Sequence, residues 1–388
     1  MNFIPYGRQL ISEDDIKAVV DVLNSDFLTQ GPAVPAFEQS VSDYCGSKHA
    51  VAVSSATAAL HLACLALGVG KGDIVWTSPI TFVASANCAL YCGASVDFVD
   101  IDARTYNMSV DQLKAKLESA KQERRLPKVV IPVHLCGQPC DMERIHELGN
   151  EYGFNIIEDA SHAIGGKYQG ESIGNCRFSD ITVFSFHPVK IVTTAEGGMA
   201  MTNSHALAAK MALLRSHGVT RDPELMTGEA DGDWYYQQVD LGFNYRLTDI
   251  QAALGVSQML KVNEFIEKRH SLAHQYNELL SELPLTLPWQ DSNGYSSFHL
   301  YVIRLHLGKI KKTRKEVFSL LRLAGIGVNI HYIPVHTQPY YQAVLLNSDE
   351  SYPAAESYYE EAISLPLHPG LTDDELMRVA ESLREILS

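Results

Sequence analysis

Lys190 is the residue whose surroundings most suggest chemistry. It stands in Ser185-Phe186-His187-Pro188-Val189-Lys190-Ile191-Val192, between two β-prone runs and among apolar neighbours, with a Gly197-Gly198 turn downstream. A lysine stripped of water favours the neutral amine and becomes a nucleophile or a base. Most lysines are solvated surface groups, and this segment alone leaves that reading open. A second segment, Ile156-Ile157-Glu158-Asp159-Ala160-Ser161-His162, ends a buried-looking strand in carboxylates and follows with a histidine. In a water-poor site such a carboxylate can keep a heteroaromatic nitrogen protonated, which makes the ring an electron sink. A solvated strand-end acid beside a packing histidine would read the same. The third segment, Val51-Ala52-Val53-Ser54-Ser55-Ala56-Thr57-Ala58, is a strand entering a helix through small and hydroxyl residues. The free amides of a helix N-terminus and the absence of bulk suit a phosphate there, although an ordinary strand-to-helix turn has the same composition.

Other motifs fail on context. Gly68-Val69-Gly70-Lys71-Gly72 follows a helix and lacks the Ser or Thr of a triphosphate loop, and no GxGxxG follows the first strand. His134, Cys136 and Cys140 lack a fourth ligand and the paired spacing of structural zinc, so no metal is expected.

These residues need a scaffold, and the periodicity supplies one. Short apolar runs at 51–53, 74–76, 96–99, 129–133, 155–157, 181–186 and 199–201 alternate with helical stretches that include 57–67, 110–117 and 142–152. Such alternation predicts an α/β fold with a mostly parallel seven-stranded sheet between helices, and ligands beyond the carboxyl ends of its strands. Ser12 caps a helix ending near Asn24, and Thr248-Asp249-Ile250-Gln251 opens a long helical stretch to about Leu283. A strand at 298–305, a helix at 314–323, a strand at 327–332 and a final helix capped by Thr372 complete a smaller α+β unit. The division expected is residues 1–250 for the large domain and 251–388 for the small one.

Composition narrows the partners. The 388 residues are 46% hydrophobic and 20% charged, enough for a sizeable core. A formal charge of -15 argues against nucleic acid or an anionic membrane as the general partner. The opening MNFIPYGRQLISEDD has neither a basic nor an apolar signal region, no run reaches membrane-spanning length, and seven cysteines form an odd set without CxxC spacing. A reducing cytoplasm is expected.

Taken in this order and spacing, the segments resemble the sugar aminotransferase family of fold-type I pyridoxal-phosphate enzymes over nearly the whole chain. The stretches that carry the resemblance are LNSDFLTQG (23–31), SSATAALHL (54–62), EDASHA (158–163), SFHPVKIVTTAEGGM (185–199), LRSHG (214–218), FNYRLTDIQAALG (243–255) and HYIPVH (331–336). The resemblance implies that pyridoxal 5'-phosphate is joined through its aldehyde to Lys190, which later moves the proton between cofactor and substrate. Asp159 would pair with the pyridine nitrogen, His162 would lie near the phenolic oxygen, and Phe82 would stack on the ring. Ala56, Thr57 and Ser185 would hold the phosphate together with Asn244 of the partner subunit, which implies a homodimer with shared sites. For a sugar nucleotide the candidates are Tyr6, Leu28, Thr29, His187, His331, Tyr332 and Arg246 of the partner subunit.

The likeness is strongest to the branch acting in pseudaminic acid biosynthesis. It implies amination at C4 of a UDP-linked 4-keto-6-deoxy-N-acetyl sugar with L-glutamate as donor. Alternatives are another nucleotide-linked keto sugar (C3, or D-series C4), a sugar dehydratase, whose lysine is replaced by histidine, or a regulator without turnover. Two departures stand out: Pro188 occupies a position where many relatives carry Ala, and Ala195 one where the broad family carries Gly.

Overall fold

The computed structural model describes residues 2–345 and 350–388. Its centre is a seven-stranded sheet of β1 (His49–Val53), β2 (Ile74–Thr77), β3 (Ser95–Phe98), β4 (Val129–Ile131), β5 (Asn155–Asp159), β6 (Ile181–Ser185) and β7 (Gly198–Thr202). The spatial order is β1-β7-β6-β5-β4-β2-β3, and β7 alone runs antiparallel to its neighbours. Strands β6 and β7 are buried at every position, as expected where helices cover both faces of a sheet. The expected α/β class and the mostly parallel seven-stranded sheet are both present.

The helices include α1 (Glu13–Leu23), α2 (Ala33–Cys45), α3 (Ala56–Ala66), α4 (Ala84–Tyr91), α5 (Val110–Glu123), α6 (Met142–Tyr152) and α7 (His205–Leu214). Ser12 and Asp15 form the capping box of α1. Asp15 is fully buried and also accepts hydrogen bonds from Ser257 at 2.6 Å, Gln258 at 2.8 Å and Lys261 at 2.7 Å. Burial raises its pKa, but these donors and the Ser12 amide together hold the carboxyl below its usual range.

The long stretch after Thr248 is two helices, α8 (Asp249–Met259) and α9 (Val262–Leu280), broken where Lys261 leaves helical geometry and turns its ammonium to Asp15 and Ser12. The remaining helices are α10 (Arg314–Leu323), α11 (Pro339–Val344), α12 (Pro353–Glu361) and α13 (Asp373–Leu387). A three-stranded antiparallel sheet, β8 (Leu285–Thr286), β9 (Tyr301–Leu305) and β10 (Ala362–Leu365), packs with α9, α10 and α13 around Leu272, Tyr276, Ile303, Leu321, Val379 and Leu383.

The predicted strand at 327–332 does not form. Ile326 and Asn329 each make one isolated bridge, to Ile4 and Ser364, because the amino-terminal arm and β10 approach the segment at different points. Ile4 is buried in the core beside β9 and α13, so the chain's first residues pack against its last helix. No helix among the described residues is long and apolar enough to cross a membrane.

Candidate active site

The sheet brings three separate stretches of sequence to one edge. Val53 and Ser185, the last residues of β1 and β6, both face Gly198, the first residue of β7. A Cβ on Gly198 would fall 2.4 Å from the Ala56 nitrogen, so only glycine lets β7 lie against the start of α3. At that helix start Ser55 accepts from the Ala58 amide at 3.1 Å. The Ala56 and Thr57 amides donate to no group among the described residues. Two free amides at the positive end of a helix, with the Ser185 hydroxyl one strand away, fit a phosphate group.

Strand alternation decides between the two carboxylates ending β5. Glu158 turns away and accepts from Ser179 at 2.5 Å, Thr182 at 3.0 Å and His134 at 2.7 Å. The Cys140 amide donates to His134 Nδ1 at 3.0 Å, so Nε2 carries the ring's proton and donates to Glu158. Asp159, 5% exposed, faces the other way and accepts from Ser85 at 2.5 Å and from the Ser161 amide at 3.1 Å. Ser85 in turn bonds Thr81 at 2.8 Å. Ser85 lies in the first turn of α4; its only signal in the sequence was its position three residues after Phe82 in a run of small residues. It positions the carboxylate that would face a ring nitrogen.

Lys190 lies just after β6 in a turn closed by its own amide and the His187 carbonyl at 2.9 Å. Pro188 is the second residue of that turn, where its fixed φ is an asset. Burial pushes the Lys190 amine down to about 8, and the Asp159 carboxylate pulls the other way. Burial, and after it the Lys190 charge, holds His162 well below the ordinary imidazole range and brings His331 down to about 3. The Ala195 backbone has φ of 65°, a left-handed conformation that glycine adopts more readily than alanine.

The aromatic wall comes from distant sequence. His162 Nδ1 accepts from the Cys136 amide at 3.3 Å, so its Nε2 donates to the Tyr332 hydroxyl at 3.0 Å. Tyr332 then has its own proton free to donate. The Phe82 ring, 58% exposed, is 6.2 Å from Tyr332, and Tyr6 is 5.4 Å from His331. His331 bonds Ser364 of β10 at 2.7 Å, and its carbonyl accepts from Tyr358 at 2.6 Å. The His299 ring, which the sequence did not single out, lies 4.4 Å from His162. Buried Arg269 fixes the adjoining backbone through the Phe298, His299 and Leu367 carbonyls.

Tyr6, Phe82, Asp159, His162, His331 and Tyr332 therefore share one region with Lys190. The structure does not join Leu28 and Thr29 to them: both are exposed, and Leu28 meets the start of α8 through the Ile250 amide at 3.4 Å. The His187 side chain is exposed. Asn244 and Arg246 lie on a strip along the outer edge of β1, bridging Ser216 and Val53, with the Tyr245 carbonyl accepting from Ser54.

A reactive lysine, a strand-end carboxylate and a phosphate cup across a doubly covered sheet are the marks of a pyridoxal-phosphate enzyme. The family model described as the DegT/DnrJ/EryC1/StrS aminotransferase family matches residues 9–384, and the chain belongs to that family. It is a sugar aminotransferase that uses pyridoxal 5'-phosphate, an amino donor and a keto-sugar acceptor.

Among its relatives, the spore coat polysaccharide biosynthesis protein SpsC of Bacillus subtilis is 38% identical over 100% of this chain and 97% of its own. The UDP-4-amino-4,6-dideoxy-N-acetyl-beta-L-altrosamine transaminase of Campylobacter jejuni is 36% identical over 99% and 97%. Helicobacter pylori PseC, an aminotransferase involved in the biosynthesis of pseudoaminic acid, superposes with a TM-score of 0.90 at 32% identity, covering 100% of this chain and 99% of that one.

Proposed function

We propose that this aminotransferase moves the amino group of L-glutamate to C4 of a UDP-linked 4-keto-6-deoxy-N-acetyl sugar, in the cytoplasm, as a step toward pseudaminic acid. The observation that carries the chemistry is Lys190, its amine brought down to about 8 by burial and within electrostatic reach of Asp159, His162 and His331. Full-length likeness to the altrosamine transaminase and to PseC supports the substrate.

Bound pyridoxal phosphate supplies an aldehyde that takes up amines and a ring that withdraws electrons. The protein does the rest. Ala56 and Thr57 amides and the Ser185 hydroxyl hold the phosphate end, joined by Asn244 of the partner subunit in a homodimer. Asp159, held by Ser85, keeps a proton on the ring nitrogen by charge pairing. Phe82 would cover the face of the bound ring and His162 would stand beside its phenolic oxygen. Lys190 removes a proton from the donor's α-carbon and, in the reverse half-reaction, delivers one to the sugar C4. An amine titrating near neutrality does both at little cost. Tyr6, His187, His331, Tyr332 and Arg246 of the partner subunit, with Leu28 and Thr29, are the groups proposed to bind the sugar nucleotide.

The deciding experiment incubates the enzyme with glutamate and a panel of UDP-4-keto sugars and reads the aminated product by mass and NMR. Amination of the L-altro acceptor is the expected result, and amination of other 4-keto sugars only would end the pseudaminic assignment. That second outcome has an observation of its own, since SpsC, at 38% identity, is a spore coat polysaccharide biosynthesis protein.

A further inference from the structure

The most basic stretch of this acidic chain lies outside the site described above. Lys309, Lys311, Lys312, Arg314 and Lys315 put five cations in seven residues of a protein with net charge -15, and no acid falls between 308 and 315. The fold gathers four of them, Lys311, Lys312, Arg314 and Lys315, on the rim of a concavity of about 630 Å³ at the start of α10. Its floor is apolar and half-buried: Leu307, Ile310, Phe318 and Ile330.

Unpaired charge is what sets this groove apart. The chain has 46 acidic residues, yet among the described residues none comes within ion-pairing distance of any of the five cations. Glu316 is tied back to Thr313 by the capping box of α10, and Glu360 is the one acid in the lining. The Arg314 guanidinium stacks 4.4 Å above the Tyr359 ring, and its Nη1 is buried without a hydrogen-bond partner. A buried guanidinium N–H left unpaired is costly unless an acceptor arrives. The volume is within the range that encloses small ligands.

We propose that this groove is a second ligand site, for a phosphorylated small molecule with an apolar or aromatic body. The phosphate oxygens meet Arg314, Lys311, Lys312 and Lys315, and the body rests on Phe318, Ile310 and Ile330. The site is chemically joined to the first. Ile330 immediately precedes His331 and Tyr332, and Tyr359 immediately follows Tyr358, whose hydroxyl holds the His331 carbonyl. A ligand on Ile330 and Arg314 therefore presses on both supports of the sugar-facing wall.

The test uses the holoenzyme, whose cofactor phosphate already fills the cup at Ala56 and Thr57, and titrates it with inorganic pyrophosphate and with UDP by calorimetry. Saturable pyrophosphate binding is expected. It should weaken at least tenfold in a Lys311→Glu/Lys315→Glu variant that keeps wild-type melting and amino transfer, and hydrogen exchange should slow at residues 307–318. UDP should fill two sites per chain in wild type and one in the variant. Pyrophosphate binding that is absent, or unchanged in the variant, overturns the proposal, as does protection confined to 54–57 and 185–190. Binding only to phosphatidylglycerol vesicles, with neither soluble probe taken up, would replace it with a membrane-surface contact.

Discussion

The two halves of the active site are built in different ways. The proposed cofactor half is made from strand ends: Ala56 and Thr57 after β1, Asp159 ending β5, Ser185 ending β6 and Lys190 just after it, with β1 and β6 in register through Gly198. Its groups are mostly backbone amides and short side chains whose positions follow from the sheet. The proposed sugar half is assembled from Tyr6, His331 and Tyr332, long side chains on irregular segments held by one another and by β10 and α12. A rigid half that keeps the same chemistry and a composite half that can be re-cut for another sugar is how one fold serves many substrates.

The contrast can be tested by breaking each half. Lys190→Ala should lose at least about 10⁴-fold in turnover, with borohydride trapping no cofactor on the chain. Asp159→Asn should cost about 10²- to 10³-fold in kcat while phosphate anchoring persists, read from retained cofactor after gel filtration. Asp15→Ala removes the anchor of the arm leading from Tyr6 to α1 and leaves Lys261 unpaired, so unfolding free energy should fall by about 3 kcal/mol or more in denaturant titrations. Because the folded Asp15 carboxyl is held below its usual range, the wild-type advantage is complete above the unfolded carboxyl's pKa. It is lost as pH falls through the folded value.

Tyr332→Phe tests the sugar half: KM for the sugar should rise about tenfold with the cofactor spectrum unchanged, since roughly one hydrogen bond is lost. The smallest effect is Ala195→Gly, which relieves a left-handed alanine and should gain about 0.5–1 kcal/mol by the same titration.

Legibility followed the same division. Lys190, Asp159 and the start of α3 could be read because chemistry and strand periodicity coincide within a few residues. Ser85 and His299 could not, since nothing near them in sequence shows what they touch. Helix α2 escaped notice because its cap is the Asp249 carboxylate, 3.2 Å from the Val34 amide and over two hundred residues away. The strand at 327–332 was a local preference overruled by tertiary contacts, and the true partner of β9, Ala362–Leu365, is a four-residue run wedged between α12 and Pro366.

The amino-terminal arm carries one more consequence. The Tyr6 carbonyl accepts from the Leu367 amide at 3.0 Å, and Ile4 is flanked by Gly325 and Gly327. On the ribosome, the strands proposed to bear the B6-binding groups are all synthesised once residue 202 is made, while the segment at Ile4 and Tyr6 must wait for partners more than three hundred positions behind it. A nascent chain thus completes its own share of the proposed coenzyme pocket long before it has anything with which to recognise a sugar.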